Sequence, residues 1–215
     1  MASARRPSSF GSLKDYNPRS PTCCSLQWLR DTYSFNDRVL AEQFLCAAND
    51  IVAHRRCGND ARQCDSLFAP VAYLFRHALE LQLKHLIRAA IRVDLLVPSK
   101  GMEEALAKHA LHRLWHDARR ALEAGWPNEP CDELARMEAV ILDFHALDNS
   151  GQSLRYATDS TGKSTRSTLP EIADLERLRD AVQGVCDLLS GCACAFADQW
   201  QANAEAMRDE ARNSE

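Results

Sequence analysis

Glycine and proline are scarce in this chain, eight of each in 215 residues. The prolines read as avoiding the long periodic stretches, which favours helices over a many-stranded sandwich. No uninterrupted apolar run of about 18 residues occurs, so no membrane span is expected. The first residues, MASARRPSSFGSLKDYNPRSP, lack the apolar core of a secretory leader and read as a disordered or loosely docked arm. There is no Gly-rich phosphate loop, no G-x-S-x-G elbow and no H-E-x-x-H zinc helix, which removes most nucleotide hydrolases, serine esterases and zincins. The nine cysteines, at 23, 24, 46, 57, 64, 131, 186, 192 and 194, form no Cys-x-x-Cys pair and are odd in number. They are expected to be reduced thiols of a cytoplasmic protein. Cys57, Cys64 and His54 match no standard zinc spacing, so small core residues and loop thiols are the expected roles. No metal and no cofactor is expected.

What the chain does have is 46% hydrophobic and 26% charged residues, the composition of a globular domain. The net charge of −4 is uneven. Residues 1–100 hold 14 Lys/Arg against 9 Asp/Glu, hence +5, and residues 101–215 hold 12 against 21, hence −9. Bulk charge therefore does not make this a polyanion binder, and any nucleic-acid role has to rest on a local patch.

Helical periodicity runs through most of the sequence. SLQWLRDTY, residues 25–33, reads as a short helix, with Ser34 capping a longer one from Asn36 to about His54 that turns Leu40, Phe44, Ala47, Ala48, Ile51 and Val52 inward. The polar stretch RRCGNDARQCD reads as a connection, followed by a helix from about Ser66 to Arg92. A helix or two spans Met102 to Gly125, and another runs from about Cys131 to Leu147. Residues 149–169 are a long polar connection in which Ser153–Thr158 suggests a short strand and Asp159–Gly162 a turn. The last helix follows Pro170 to about Met207, with Leu175, Leu178, Val182, Val185, Leu189, Cys192 and Phe196 as a heptad seam. That seam serves either the bundle core or a homodimer. The expected architecture is all-α: an up-and-down bundle of about five main helices in one domain over 25–207, with an arm at 1–24 and a frayed tail at 208–215.

The helix around FRHALELQLKHLIRAA, residues 75–90, raises the question of function. Arg76, His77, Glu80, Lys84 and Arg88 fall within roughly 120° of arc, opposite a broad apolar surface. A solvated face with i,i+4 pairs and a functional groove both fit this pattern. A second polar patch gathers His109, His112, Arg113, His116, Asp117, Arg119 and Arg120. His112 and His116 are four apart but lack an evident third metal ligand. In the long connection, Arg155, Tyr156 and Lys163 are suited to phosphate contact and base stacking, or to docking the loop on the core.

FRHALELQLKHLI, then HALHRLWHDARRAL, then FHALDNSGQSLRYATDSTG together resemble bacterial proteins of the HEPN class (higher eukaryotes and prokaryotes nucleotide-binding). The likeness extends over roughly residues 36–200 in layout and is specific in these patches. It implies a helical bundle, often dimeric, linked to RNA or nucleotides and to toxin–antitoxin or antiviral defence systems. Catalytic members of that class are metal-independent ribonucleases, marked by an Arg and a His separated by four to six residues. This chain departs from that signature, because the histidines after Arg76 are His77 and His85.

Cleaving RNA without a metal requires a base for the 2′-hydroxyl, an acid for the leaving oxygen and a cation for the phosphorane charge. The residues read for these tasks are Arg76, His77 and Glu80 as catalytic groups, with Lys84, Arg88, Arg155, Tyr156 and Lys163 on the phosphate. The expected ligand is RNA or a nucleotide. The alternatives are a non-catalytic helical subunit working through a protein partner, and a small-molecule or nucleotide sensor.

Overall fold

The computed structural model describes residues 37–54, 61–128, 132–149, 151–158, 161–165 and 169–213. Six helices and no strand occur among them: α1 Asp37–His54, α2 Ala61–Arg92, α3 Lys100–Ala107, α4 Leu111–Gly125, α5 Asp132–Leu147 and α6 Leu175–Asn213. The expected all-α bundle is thus the architecture found. The short helix read at 25–33, its neighbour Ser34 and Cys57 lie outside the described residues.

The central element is α2, which packs against α1, α4 and α6. Phe75, Leu79, Leu83, Leu86 and Ile87 are fully buried along it. This helix starts at Ala61, earlier than the polar sequence ahead of Ser66 suggests, and it contains Pro70. The expectation that prolines avoid the periodic stretches is therefore corrected. Proline lacks an N–H and crowds the preceding turn, and Pro70 is tolerated on an exposed side of the helix, before the buried segment begins at Val71.

On α1 the inward residues are Ala41, Leu45, Ala48 and Val52, while Leu40, Phe44 and Ile51 are half-buried and Ala47 is exposed. The apolar stripe is rotated slightly from the expected one. Ser99 caps α3, its hydroxyl accepting from the Met102 N–H. The heptad residues of α6 lie in the core with α2: Leu175, Val182, Val185, Leu189 and Phe196 are buried, and Leu178 and Cys192 pack against them. The seam is bundle core. Burial raises the Cys186 thiol to about 12, so it is an inert core residue. Gly125 ends α4 where Phe196 approaches, and a Cβ there would meet the ring at 2.8 Å.

Two boundaries differ from expectation. α6 begins at Leu175 rather than directly after Pro170, because Asp174 caps it, its carboxylate accepting from the Glu176 and Arg177 N–H groups at 2.9 and 3.2 Å. It runs on to Asn213, through the segment read as a frayed tail. The suggested strand is also corrected. Residues 153–155 form a turn, and among the described residues the one β-pairing nearby is an isolated antiparallel bridge between Thr158 and Ser164. No helix among the described residues is long and apolar enough to cross a membrane.

Candidate functional site

Three members of the polar arc of α2, Arg76, Glu80 and Lys84, face inward. Arg76 is 1% exposed and is among the largest fully buried side chains, and Glu80 is equally buried. The guanidinium is fully engaged. Its Nε donates to the Asp148 carbonyl at 3.0 Å and lies 3.7 Å from the Asp148 carboxylate. One terminal nitrogen donates to Glu80 Oε2 at 3.2 Å, and the other to the His109 carbonyl at 2.6 Å. The planar fork of arginine suits such a multi-partner role, in which one side chain ties α2 to the α3–α4 connection and to the end of α5. The expectation that Arg76 grips a ligand phosphate is therefore corrected: each of its three nitrogens already donates within the protein and its surface is covered.

The loop after α5 is built around the same charge. Asp148 is wholly buried. Its carboxylate accepts from the backbone N–H groups of Gln152 at 2.7 Å and Ser153 at 3.0 Å, closing a turn. Gly151 has φ of +76°, and a Cβ there would lie 3.1 Å from an Arg76 nitrogen. Both conditions favour glycine. The Gly151 carbonyl in turn accepts from Arg155 Nε at 2.6 Å. The Arg155 guanidinium lies 5.5 Å from the ring centres of both Tyr73 and Tyr156. Arg155 docks the loop onto α2, and Tyr156 remains 57% exposed beside it.

Glu80 is the centre of the network. Its Oε1 accepts from Lys84 Nζ at 2.8 Å and lies 2.8 Å from His109 Nδ1. Burial alone would raise the Glu80 carboxyl, but the hydrogen bonds and charges of Lys84 and His109 outweigh it and hold the group below its ordinary range. His109 differs from the rest of the cluster because its side chain is 57% exposed. With Nδ1 held by a buried carboxylate, Nε2 is left as the ring's other proton-carrying position. A carboxylate–imidazole pair of this kind orients a histidine for proton transfer.

The other residues singled out from the sequence are placed as follows. The His77 ring is half-buried against Phe44, edge to face at 4.5 Å, and stacks on Tyr73 at 6.0 Å. Burial lowers its pKa, with the neighbouring cations adding to the effect against the pull of Glu80, so the ring packs as a neutral aromatic. Lys84 is held on Glu80, and Arg88 is paired with Asp37. Lys163 is exposed in the 161–165 segment.

His112, His116 and Asp117 line a groove of about 780 Å³ formed by α3, α4 and α5, together with Arg113, Arg119 and Arg120. The His112 ring packs on His145 with centroids 4.2 Å apart and the ring planes tilted by 42°. Asp117 takes His116 and Arg120 at 3.4 Å each, and Arg119 is bound to Glu123 and Glu138. Trp115 also lines the groove, and its buried Nε1–H has no partner.

His109, read in the sequence as part of the second patch, belongs instead with Glu80 and Arg76. The signal for it is faint: it lies in the short break between α3 and α4, one turn ahead of His112. Neither protein-family models nor curated proteins nor solved structures match this chain.

Proposed function

We propose that this protein binds RNA or a nucleotide through its phosphates, in the manner of the HEPN-like helical proteins that its sequence resembles, and that His109 is the group able to move a proton on that ligand. The observation that carries the proposal is the exposed His109 ring held by the buried Glu80 carboxylate at 2.8 Å. In a metal-independent cleavage, His109 Nε2 takes the proton of a 2′-hydroxyl or gives one to the leaving oxygen. Arg76 positions this pair, since it binds Glu80 and the His109 carbonyl at once. The groove of α3, α4 and α5 supplies cations from Arg113 and Arg120 and an unpartnered indole N–H from Trp115.

The test uses labelled single-stranded RNA in the presence of EDTA. His109→Ala, at an exposed position, should leave the fold intact and lower cleavage by about 10²–10⁴-fold with binding retained. The Arg113→Ala, Arg120→Ala double variant should weaken binding and flatten its salt dependence. Absence of both binding and cleavage by the wild type, or cleavage indifferent to His109→Ala, rejects the proposal.

A second reading, a helical subunit working through a protein partner or a second copy, is favoured by the end of α6. From Ala197 to Asn213 every residue except Ala204 is exposed, Trp200 and Met207 among them. Light scattering on the wild type and on the Trp200→Ala, Met207→Ala variant checks it. A dimer lost in the variant supports the reading, and a monomer in both cases defeats self-association.

A further inference from the structure

A second cleft, of about 290 Å³, lies between α1, α2 and α6 and belongs to none of the groups discussed above. Its lining holds a directed hydrogen-bond chain. Gln183 Nε2 donates to Asp187 Oδ1 at 2.7 Å, and Asn49 Nδ2 donates to Gln183 Oε1 at 2.8 Å. The polarity of this chain is set at one end, because a carboxylate oxygen accepts and does not donate. Turning either amide around would bring two oxygens face to face. The far end of the chain, Asn49 Oδ1, is therefore an acceptor, and it is buried without a partner. Gln82 is 2% exposed and lines the same cleft, and its Oε1 is likewise buried without a partner. A buried acceptor left unmade is costly, and two in one cleft are unusual. What both lack is an N–H donor. Asp187 on the cleft wall adds negative charge, Glu42 beside it being paired with Arg38 at 3.0 Å, so the missing donor is best carried by a cation.

We infer that the cleft of Asn49, Gln82, Gln183 and Asp187 binds a small organic cation with several N–H donors, an alkyl amine or guanidine. The volume lies at the low end for ligand pockets and suits a molecule of metabolite size. Residues from three helices meet in it, so occupancy would clamp α1 and α6 onto α2.

The experiment is calorimetric titration of the full chain with agmatine and with putrescine, alongside tetramethylammonium, which carries the charge without N–H groups. Saturable binding of one or both donors, with no binding of tetramethylammonium, is expected. Which of the two binds tells guanidine from amine. The side-chain amide NMR signals of Asn49 and Gln82 should shift with the same saturation. Gln82→Met, which removes one orphan acceptor while keeping volume, should weaken binding about tenfold or more, the worth of one good hydrogen bond. Asp187→Asn, at an exposed position, frees the amide chain to reverse and should weaken it as well, which covers the case of a misfolded Gln82 variant. No saturable heat with either donor, equal binding of tetramethylammonium, or affinity unchanged in both variants overturns the inference, the orphan oxygens then being served by ordered water alone.

Discussion

Arg76→Met should be the most damaging single substitution in this protein, lowering stability by about 3–5 kcal/mol. Methionine fills much of the same space, so cavity formation is a minor part of the loss. The larger part is electrostatic. Removing the guanidinium leaves the Asp148 and His109 carbonyls without their donor and strips a counter-charge from Glu80 and Asp148, all in the interior. Uncompensated buried charge is among the few mechanisms that reach this size in one step. For a domain of this length the melting temperature should fall by roughly 10 °C. Arg88→Met is the control. That arginine is paired with Asp37 on the surface, its side chain 46% exposed, and its loss should cost no more than about 0.5–1 kcal/mol. Urea unfolding of the two variants beside the wild type decides the matter. Similar midpoints for all three would mean that the buried network contributes nothing net.

Asp148→Ala comes next, with an expected loss of about 2–4 kcal/mol. The carboxylate serves two tasks: it accepts the N–H groups that close the turn over Gln152 and Ser153, and it faces Arg76. Its removal should therefore do more than lower the midpoint. Amide exchange should accelerate selectively across 151–158, since the turn loses its internal acceptor while the helices keep theirs. Asp148→Asn retains one oxygen and should lose less. The double variant with Arg76→Met should be less damaging than the sum of its parts, because each single change leaves the other group's charge unpaired. Strict additivity would show that the two residues are independent and that the 3.7 Å approach is without consequence.

The helices were legible because burial of apolar residues at helical spacing is a local property. Arg76, His109 and Asp148, from three separate segments of the sequence, meet in space. What periodicity left open was the sign of the polar arc on α2. A row of Arg76, Glu80 and Lys84 has the same spacing whether it meets water or protein, and only the partners from elsewhere in the chain decide. Those partners act at long range: the His109 carbonyl from the α3–α4 break, and Asp148 from the end of α5. Gly151 could be seen as a loop glycine, but that it lies against a guanidinium could not. The i,i+4 pair of Glu80 and Lys84 was readable and is present. His109 was harder, since an isolated histidine in a short break gives no periodic signal and acquires meaning through a glutamate 29 residues away. The strand suggested at 153–158 failed for a related reason: the Ser153 and Leu154 N–H groups go to the Asp148 carboxylate and those of Arg155 and Tyr156 to the Gln152 carbonyl, so the segment turns on itself instead of pairing with a strand.

The charges gathered around Glu80 have a consequence of their own. Arg76 and Lys84 bring two positive charges and Glu80 and Asp148 two negative ones, so these four buried side chains sum to zero. His109 is the member that solvent reaches most freely. An anion arriving at that ring thus meets a core whose charges are already balanced against one another.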